Sequence, residues 1–199
     1  MAAQKGWQPP ASLRFIAVGG ASVAPELLAN AAQLGLPVYE GYGLSECGSV
    51  VCVNTATAQR RGSVGRPLPH VRVRLDGQQQ IMVSGPLMSG YLGDAARPGA
   101  ERGELATGDL GEIDADGFVY IRGRLKNLII TSLGRNISPE WVERELQTEA
   151  AIGMAVVCGE ARPYLGALIS PAGAAGSEQI AAAVARVNAR LPDYAQLRR

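Results

Sequence analysis

Pro37-Val38-Tyr39-Glu40-Gly41-Tyr42-Gly43-Leu44-Ser45-Glu46 decides how this chain is read. Pro37 to Glu40 reads as a short strand, and it runs without a spacer into an aromatic ring flanked by glycines, then a hydroxyl beside a carboxylate. Upstream, Leu13 to Val18 reads as another strand and Gly19-Gly20 as a turn. Pro25 then opens a helix with Leu27, Ala31 and Leu34 on one face and Gly35 as its stop. Strand, turn, helix and strand in that order suit an α/β layer.

Downstream the pattern changes to alternation. Val71, Val73 and Leu75 face one way and Arg72 and Arg74 the other, with Asp76-Gly77 as a hairpin turn before Ile81 and Val83. A second hairpin turns at Asp116-Gly117, between Glu112-Ile113 and Phe118 to Ile121. These strands predict a small β-rich subdomain. The charged run Arg122-Gly123-Arg124-Leu125-Lys126-Asn127 then separates two apolar strands. Leu128 to Thr131 is the next strand, Gly134-Arg135-Asn136 a turn, and Ser138-Pro139 the cap and first residue of a helix. On that helix Glu140 and Arg144 are expected on the exposed side, Val142 and Leu146 on the inner face. Ile152 to Val157 and Leu165 to Ser170 follow as strands. A helix capped by Ser177 carries Ile180, Val184, Val187 and Leu191 and stops at Pro192. The order after the charged run is β-β-α-β-β-α, a small α+β unit.

Composition narrows the function classes. The 199 residues carry 19 Lys and Arg against 18 Asp and Glu, so the basic excess of a nucleic-acid binder is absent, and Arg60-Arg61 is expected to be a solvated loop. No apolar run approaches the roughly 18 residues of a membrane span, and Met1 to Pro10 lacks the apolar stretch of a signal peptide; a cytoplasmic, reducing setting is expected. Cys47, Cys52 and Cys158 have no CxxC spacing and are expected to be small buried side chains. His70 is the sole histidine, which argues against a Cys/His metal cluster, and it leaves a Ser-His-Asp hydrolase without a GxSxG or a second candidate base.

Singly, each polar cluster has an ordinary reading: Gly41-Tyr42-Gly43 as a tight turn with a core tyrosine, Thr107-Gly108-Asp109 as part of a hairpin, Arg124 and Lys126 as solvated linker charges. Together they complement one ligand. Glycines beside Tyr42 let a planar base stack close to the backbone. Ser45-Glu46 offers a hydrogen bond to a phosphate oxygen and a hard oxygen ligand for Mg²⁺, which binds through one or two carboxylates plus substrate phosphates. A fixed carboxylate such as Asp109 accepts hydrogen bonds from both ribose hydroxyls, and Arg124 can donate to the same sugar.

The succession Gly19-Gly20-Ala21, Tyr42-Gly43-Leu44-Ser45-Glu46, Thr107-Gly108-Asp109, Gly123-Arg124-Leu125-Lys126 and Gly134-Arg135-Asn136-Ile137-Ser138-Pro139-Glu140 resembles the AMP-forming superfamily of acyl-CoA synthetases, peptide-synthetase adenylation domains and luciferases. Lys126 to Thr131, with the segment up to Glu143, is most similar to long-chain fatty acyl-CoA synthetases. The resemblance implies an α/β and α+β chain. Residues 1–122 would be the C-terminal part of the large adenylating domain, 123–126 a hinge, and 127–199 a small, incomplete C-terminal domain. It also implies a two-step ligase: a carboxylate, here expected to be a fatty acid, attacks the α-phosphate of ATP, and the thiol of coenzyme A then displaces AMP. Transfer to a carrier-protein thiol, or a non-catalytic nucleotide-binding module, are the alternatives.

By the same resemblance Tyr42 stacks on adenine within Gly41 and Gly43, with Gly20 and Ala21 along the base's edge. Ser45 touches the α-phosphate, where serine replaces the commoner threonine; Glu46 holds Mg²⁺; Asp109 and Arg124 grip the ribose. Lys126 stands at the hinge position that in many relatives is aspartate, and Gly134, Arg135 and Asn136 line the channel for coenzyme A. The family's Ser/Thr/Gly-rich phosphate loop and its catalytic lysine are not found among these residues. The chain is therefore expected to be a fragment that makes no acyl-adenylate alone, with no catalytic residue of its own. It is expected to expose apolar surface around Leu13 to Val53 through which it associates, and to meet a membrane only peripherally if the acid is long-chain.

Overall fold

A computed structural model describes residues 8–21, 23, 25–92 and 103–198. The chain divides into two compact units, Met1–Ile121 and Arg122–Arg199.

In the first unit the extended apolar run gives β1 (Ile16–Val18), the helix opening on proline gives α1 (Pro25–Gln33), and β2 spans Val38–Tyr42. β1 and β2 pair in parallel with Ile16 opposite Val38 and Val18 opposite Glu40, as a strand-helix-strand crossover requires. β2 starts one residue later than its sequence suggests and runs two residues further. Gly41 and Tyr42 stay extended because they pair antiparallel with Val53 and Cys52 of β3 (Cys52–Val53), which pairs in turn with β4 (Arg66–Pro67). The sheet order is β1-β2-β3-β4.

A second four-stranded sheet, in the order β5-β6-β7-β8, is built from β5 (Arg72–Leu75), β6 (Gln80–Ser84), β7 (Leu105–Ile113) and β8 (Val119–Arg124). Its first hairpin differs from the two-residue Asp76-Gly77 turn expected. The loop is four residues long, and Gln79 rather than Gly77 takes the left-handed conformation (φ 62°). Asp76 compensates by accepting the N–H groups of Gln78 and Gln80 on Oδ1. In the second hairpin Asp114 does the same for Asp116 and Phe118. Val51, Cys52, Ile81, Val83 and Val119 are fully buried and join both sheets in one core. Each full burial of a side chain of this size stabilises by about 1.5–3 kcal/mol. Phe15 and Leu27 are by contrast about 60% exposed (62% and 61%).

Arg60 lies exposed in a loop, as expected, and is also ion-paired there. Its guanidinium spans Asp114 (2.5 Å) and Asp116 (2.7 Å) and lies over the Phe118 ring, 4.5 Å from its centroid. Burial pushes the Asp114 carboxyl up. The Phe118 N–H, Arg60, the Tyr120 hydroxyl and the Asp116 N–H outweigh it and bring that carboxyl down to about 2.

The second unit follows the order read from sequence. β9 (Ile129–Ile130) and β10 (Asn136–Ile137) form a hairpin. α2 (Pro139–Gln147) leads to β11 (Ile152–Cys158), antiparallel to β12 (Gly166–Pro171), and α3 (Ser177–Arg190) ends the order. Val142 and Leu146 of α2 and Val187 of α3 are completely buried. Four local expectations are adjusted. Ser138 stands at the N-cap of α2 as read, but it gives its hydroxyl to Glu140 and makes no side-chain cap bond, and Glu140, expected on the exposed side, is half-buried and bonded to Asn127 and Ser138. Gly176, not Ser177, is the cap of α3, its N–H held by the Gln179 side chain. Cys158 is exposed, whereas Cys47 and Cys52 are buried. Beyond α3 the chain turns at Asp193–Ala195 and returns through a parallel bridge of Leu197 to Leu165, fastened by the Asn188 amide on both backbone groups of Leu197.

Candidate functional site

Parallel pairing of β1 and β2 sets their carboxyl ends side by side, the edge at which open α/β sheets bind ligands. Gly19 lies so close to that edge of β2 that a Cβ on it would stand 2.8 Å from the Gly41 carbonyl oxygen. Gly20 and Ala21 follow at once, Ala21 exposed. The segments expected along a base and beneath it therefore adjoin. Beyond Tyr42 the chain folds back over Gly43: Ser49 donates its N–H to the Leu44 carbonyl and Val51 to that of Tyr42. The loop between is a 3-10 turn, Ser45–Cys47, with Ser45 exposed and Glu46 half-buried. Only glycine fits at 43, since a Cβ there would be 1.8 Å from the Ser49 carbonyl oxygen.

Thr107-Gly108-Asp109 reaches the same region through a bulge in β7. Gln80 pairs with Leu110 and Met82 with Ala106, so two steps along β6 face four along β7. Thr107 to Asp109 thus stand opposite Ile81 alone, with Gly108 at φ 78°. Bulges re-aim side chains, and this one is pinned: Thr107 donates its hydroxyl to the Ile81 carbonyl and accepts the Asp109 N–H. Asp109 is 4% exposed, and Tyr42 donates its hydroxyl to Asp109 Oδ2 at 2.6 Å. Burial, then this bond, raises the Tyr42 phenol far above the ordinary tyrosine range, so it keeps its proton and acts as a hydrogen-bond donor at every working pH.

Tyr91, which sequence reasoning missed, donates its hydroxyl to Glu46 Oε1 at 2.7 Å. Its only signal was an aromatic residue between glycine and leucine in a polar stretch. Among the described residues no three of His, Cys, Asp and Glu gather as a metal cluster. A lone carboxylate beside a hydroxyl, as at Ser45-Glu46, fits a hard cation that arrives with phosphates and keeps its waters, and does not fit a metal held by protein alone.

The remaining predicted residues belong to the second unit. Arg124 ends β8, and its charge helps to lower the Glu140 carboxyl, for which burial is outweighed by bonds from Asn127, the backbone and Ser138. Lys126 is exposed in the 3-10 turn Leu125–Asn127. Gly134, Arg135 and Asn136 are exposed at the β9–β10 hairpin, closed by N–H bonds from Thr131 to Arg135 and from Gly134 to Thr131. The Arg135 guanidinium lies 5.5 Å from the centroid of Tyr194, a partner that sequence reading did not foresee.

Known proteins resemble the chain in sequence and in fold. The AMP-binding enzyme family matches residues 2–92, and the AMP-binding enzyme C-terminal domain matches residues 126–199. The long-chain-fatty-acid–CoA ligase FadD15 of Mycobacterium bovis is 38% identical over 155 residues, 76% of this chain and 26% of the relative. The 2-succinylbenzoate–CoA ligase of Bacillus cereus (strain ATCC 14579) is 35% identical over 189 residues, 86% of this chain and 39% of the relative. The o-succinylbenzoate CoA synthetase MenE of Bacillus subtilis has been solved with the acyl-adenylate intermediate OSB-AMP. It superposes with a TM-score of 0.82 at 28% identity, over 94% of this chain and 42% of that one. Solved in complex with ATP and magnesium ion, the same enzyme gives a TM-score of 0.80 at 28% identity, over 96% of this chain and 43% of that one. The chain thus spans about a quarter to two fifths of the length of these relatives. By both its domains, it belongs to the AMP-binding enzyme family.

Proposed function

We propose that the chain is the nucleotide-recognising part of an AMP-forming acid–CoA ligase. Such an enzyme joins a carboxylic acid to the α-phosphate of ATP, releases pyrophosphate, and passes the acyl group to coenzyme A. The observation that carries the reading is the convergence of Gly19 to Ala21, Tyr42 to Glu46 and Thr107 to Asp109 within the first unit, sealed by the bond from Tyr42 to Asp109. Tyr42 supplies the ring for adenine between Gly41 and Gly43, with Gly20 and Ala21 beside it. Asp109 accepts from the ribose, Ser45 donates to the α-phosphate, and Glu46 takes Mg²⁺ carried in by the phosphates. The metal supplies charge neutralisation on the phosphates. Arg124 is a second ribose contact, Lys126 the pivot residue of a hinge at 123–126, and Gly134, Arg135 and Asn136 the lining for coenzyme A.

The acid we propose is a fatty acid. The 38% identity to a long-chain-fatty-acid–CoA ligase supports it, while the 2-succinylbenzoate relatives favour an aromatic acid as the second reading. Its setting would be the cytoplasm, at a membrane surface where the acid is long-chain; among the described residues no helix is long and apolar enough to cross a membrane. Titration calorimetry of the chain with AMP and Mg-ATP tests the nucleotide reading. Binding that drops at least tenfold on Asp109→Ala supports it, and no binding by the unaltered chain sinks it. Pyrophosphate exchange by the 199-residue chain, with palmitate or 2-succinylbenzoate, is expected to be absent, because electrostatic stabilisation of the departing pyrophosphate is usually the largest catalytic contribution and no phosphate loop or matching lysine stands among these residues.

A further inference from the structure

Lys126 stands at the proposed pivot, in a turn that has little of its own to hold it. None of Leu125, Lys126 and Asn127 is buried, and the Lys126 ammonium has no partner among the described residues. The turn is tied down by one side-chain hydrogen bond, which the Asn127 amide donates to Glu140 Oε1 at 2.5 Å. Glu140 lies thirteen residues on, in the first turn of α2. We propose that Glu140 is a latch: by holding Asn127 it keeps the Lys126 turn closed on α2, and its release frees that turn to change its backbone torsions. The inference rests on the reading of 123–126 as a hinge.

The seat of the latch is organised from the helix side. Ser138 donates its hydroxyl to Glu140 Oε2 at 2.8 Å, so each carboxylate oxygen has its own partner and the plane of the group is fixed for Asn127. Glu140 is half-buried, where a charge-assisted bond is stronger than in open water. Gly123 packs on the same seat: a Cβ there would stand 2.4 Å from Ser138 Oγ and 2.7 Å from Ser138 Cβ. Ser138 and Glu140 thus meet the chain on both sides of Lys126, by packing at Gly123 and by a hydrogen bond at Asn127. Arg124 is still in β8 and has contacts of its own, so what the latch governs is the turn after it, Leu125–Asn127. One bond to a charged group at an exposed turn biases a two-state equilibrium about tenfold. A bias of that size holds the turn closed most of the time and still lets it open, as a segment that must change its torsions requires.

The sequence supplies the probe. Its two lysines are Lys5 and Lys126, so a lysine-specific endoprotease that releases residues 127–199 has cut after Lys126. Cutting requires the segment to leave its turn, and at low protease the rate follows the population that has opened. The experiment compares the 199-residue chain with Asn127→Ala, Glu140→Ala and the double variant, each rate taken relative to the same bond in a short peptide with the same sequence. Each single variant is expected to raise the rate about tenfold, and the double variant to add less than about twofold to either, because both remove one bond. The urea midpoint of Asn127→Ala is expected to match that of the parent. Rates unchanged in both single variants overturn the latch, as does a rise that a fall in urea midpoint accounts for in full. Should Glu140→Ala weaken α2, Asn127→Ala removes the same bond from the other side and decides alone. A failed latch leaves the ligase reading standing. An unaltered chain that binds no nucleotide sinks that reading and leaves the cleavage result intact.

Discussion

Replacing Gly43 by alanine tests how the candidate site is built. A Cβ at this position would lie 1.8 Å from the Ser49 carbonyl oxygen, 2.6 Å from its carbon and 2.8 Å from the Val50 Cα, all of them backbone atoms that no rotamer change can move away. The obstruction is bracketed by the bonds from Ser49 to Leu44 and from Val51 to Tyr42. To restore a contact above 3 Å the 44–50 loop must move by more than an ångström, and the brackets must stretch or break. Overpacking of this kind costs about 1–3 kcal/mol, and each net backbone hydrogen bond lost adds about 0.5–1.5 kcal/mol. A loss of roughly 2–6 kcal/mol for the first unit follows if both bonds go.

The loop carries Ser45 and Glu46, so the damage is expected to be local as well as global. Amide exchange reports it directly: the N–H groups of Ser49 and Val51, protected in the parent, should exchange at near loop rates in Gly43→Ala. Urea unfolding should show the loss of stability, and AMP binding should weaken. Unchanged protection at both amides, with an unchanged unfolding midpoint, would refute the steric argument outright.

In the second unit Leu146 is completely buried, so Leu146→Ala should destabilise by about 2–5 kcal/mol in denaturant titration followed at Trp141, which packs against the same core. Of the three cysteines, the exposed Cys158 should react with a thiol reagent in the native chain. Cys47 and Cys52 should react only after unfolding, the Cys52 thiol being pushed up to about 12 by burial. Asp114 sets a pH dependence: its folded carboxyl sits at about 2 against about 3.9 unfolded, so its contribution is complete above pH ~4 and is lost as pH falls from there through about 2. Urea midpoints should therefore fall more steeply with acid in the parent than in Asp114→Asn, and parallel curves would exclude the Arg60–Asp114 clamp as the cause.

Elements with a strong local signature were legible in advance. Proline at the mouth of each of α1 and α2, alternation in β5, and the helical spacing of Val184, Val187 and Leu191 all act within a few residues. Errors arose where a side chain found a better partner than its neighbours offered. Ser138 has the chemistry of a cap but spends its hydroxyl on Glu140. Arg60 is the surface charge it was expected to be, but its two aspartate partners lie more than fifty positions away and have no local signal. The Asp76-Gly77 pair suggests a two-residue turn, yet Asp76 organises a four-residue loop in which Gln79 takes the left-handed conformation.

The candidate site divides along the same line. Glycines around Tyr42 and the Ser45-Glu46 pair are visible in sequence because adjacency itself carries the chemistry. Asp109 is different: in an unbroken β-strand alternation would fix which way each residue points, and Thr107-Gly108-Asp109 would be three ordinary strand positions. The buried alternation in fact runs on through Leu105, Thr107, Asp109 and Gly111; what the bulge changes is the pairing, setting three residues of β7 against one of β6. Whether a bulge forms depends on a carbonyl of the neighbouring strand, Ile81, accepting the Thr107 hydroxyl, and that register is a property of pairing across strands. The contact from Tyr42 to Asp109 then needs a second sheet to arrive at the right height. Local pattern names the two residues, and only the stacked consequences of two strand registers bring a phenol to a carboxylate.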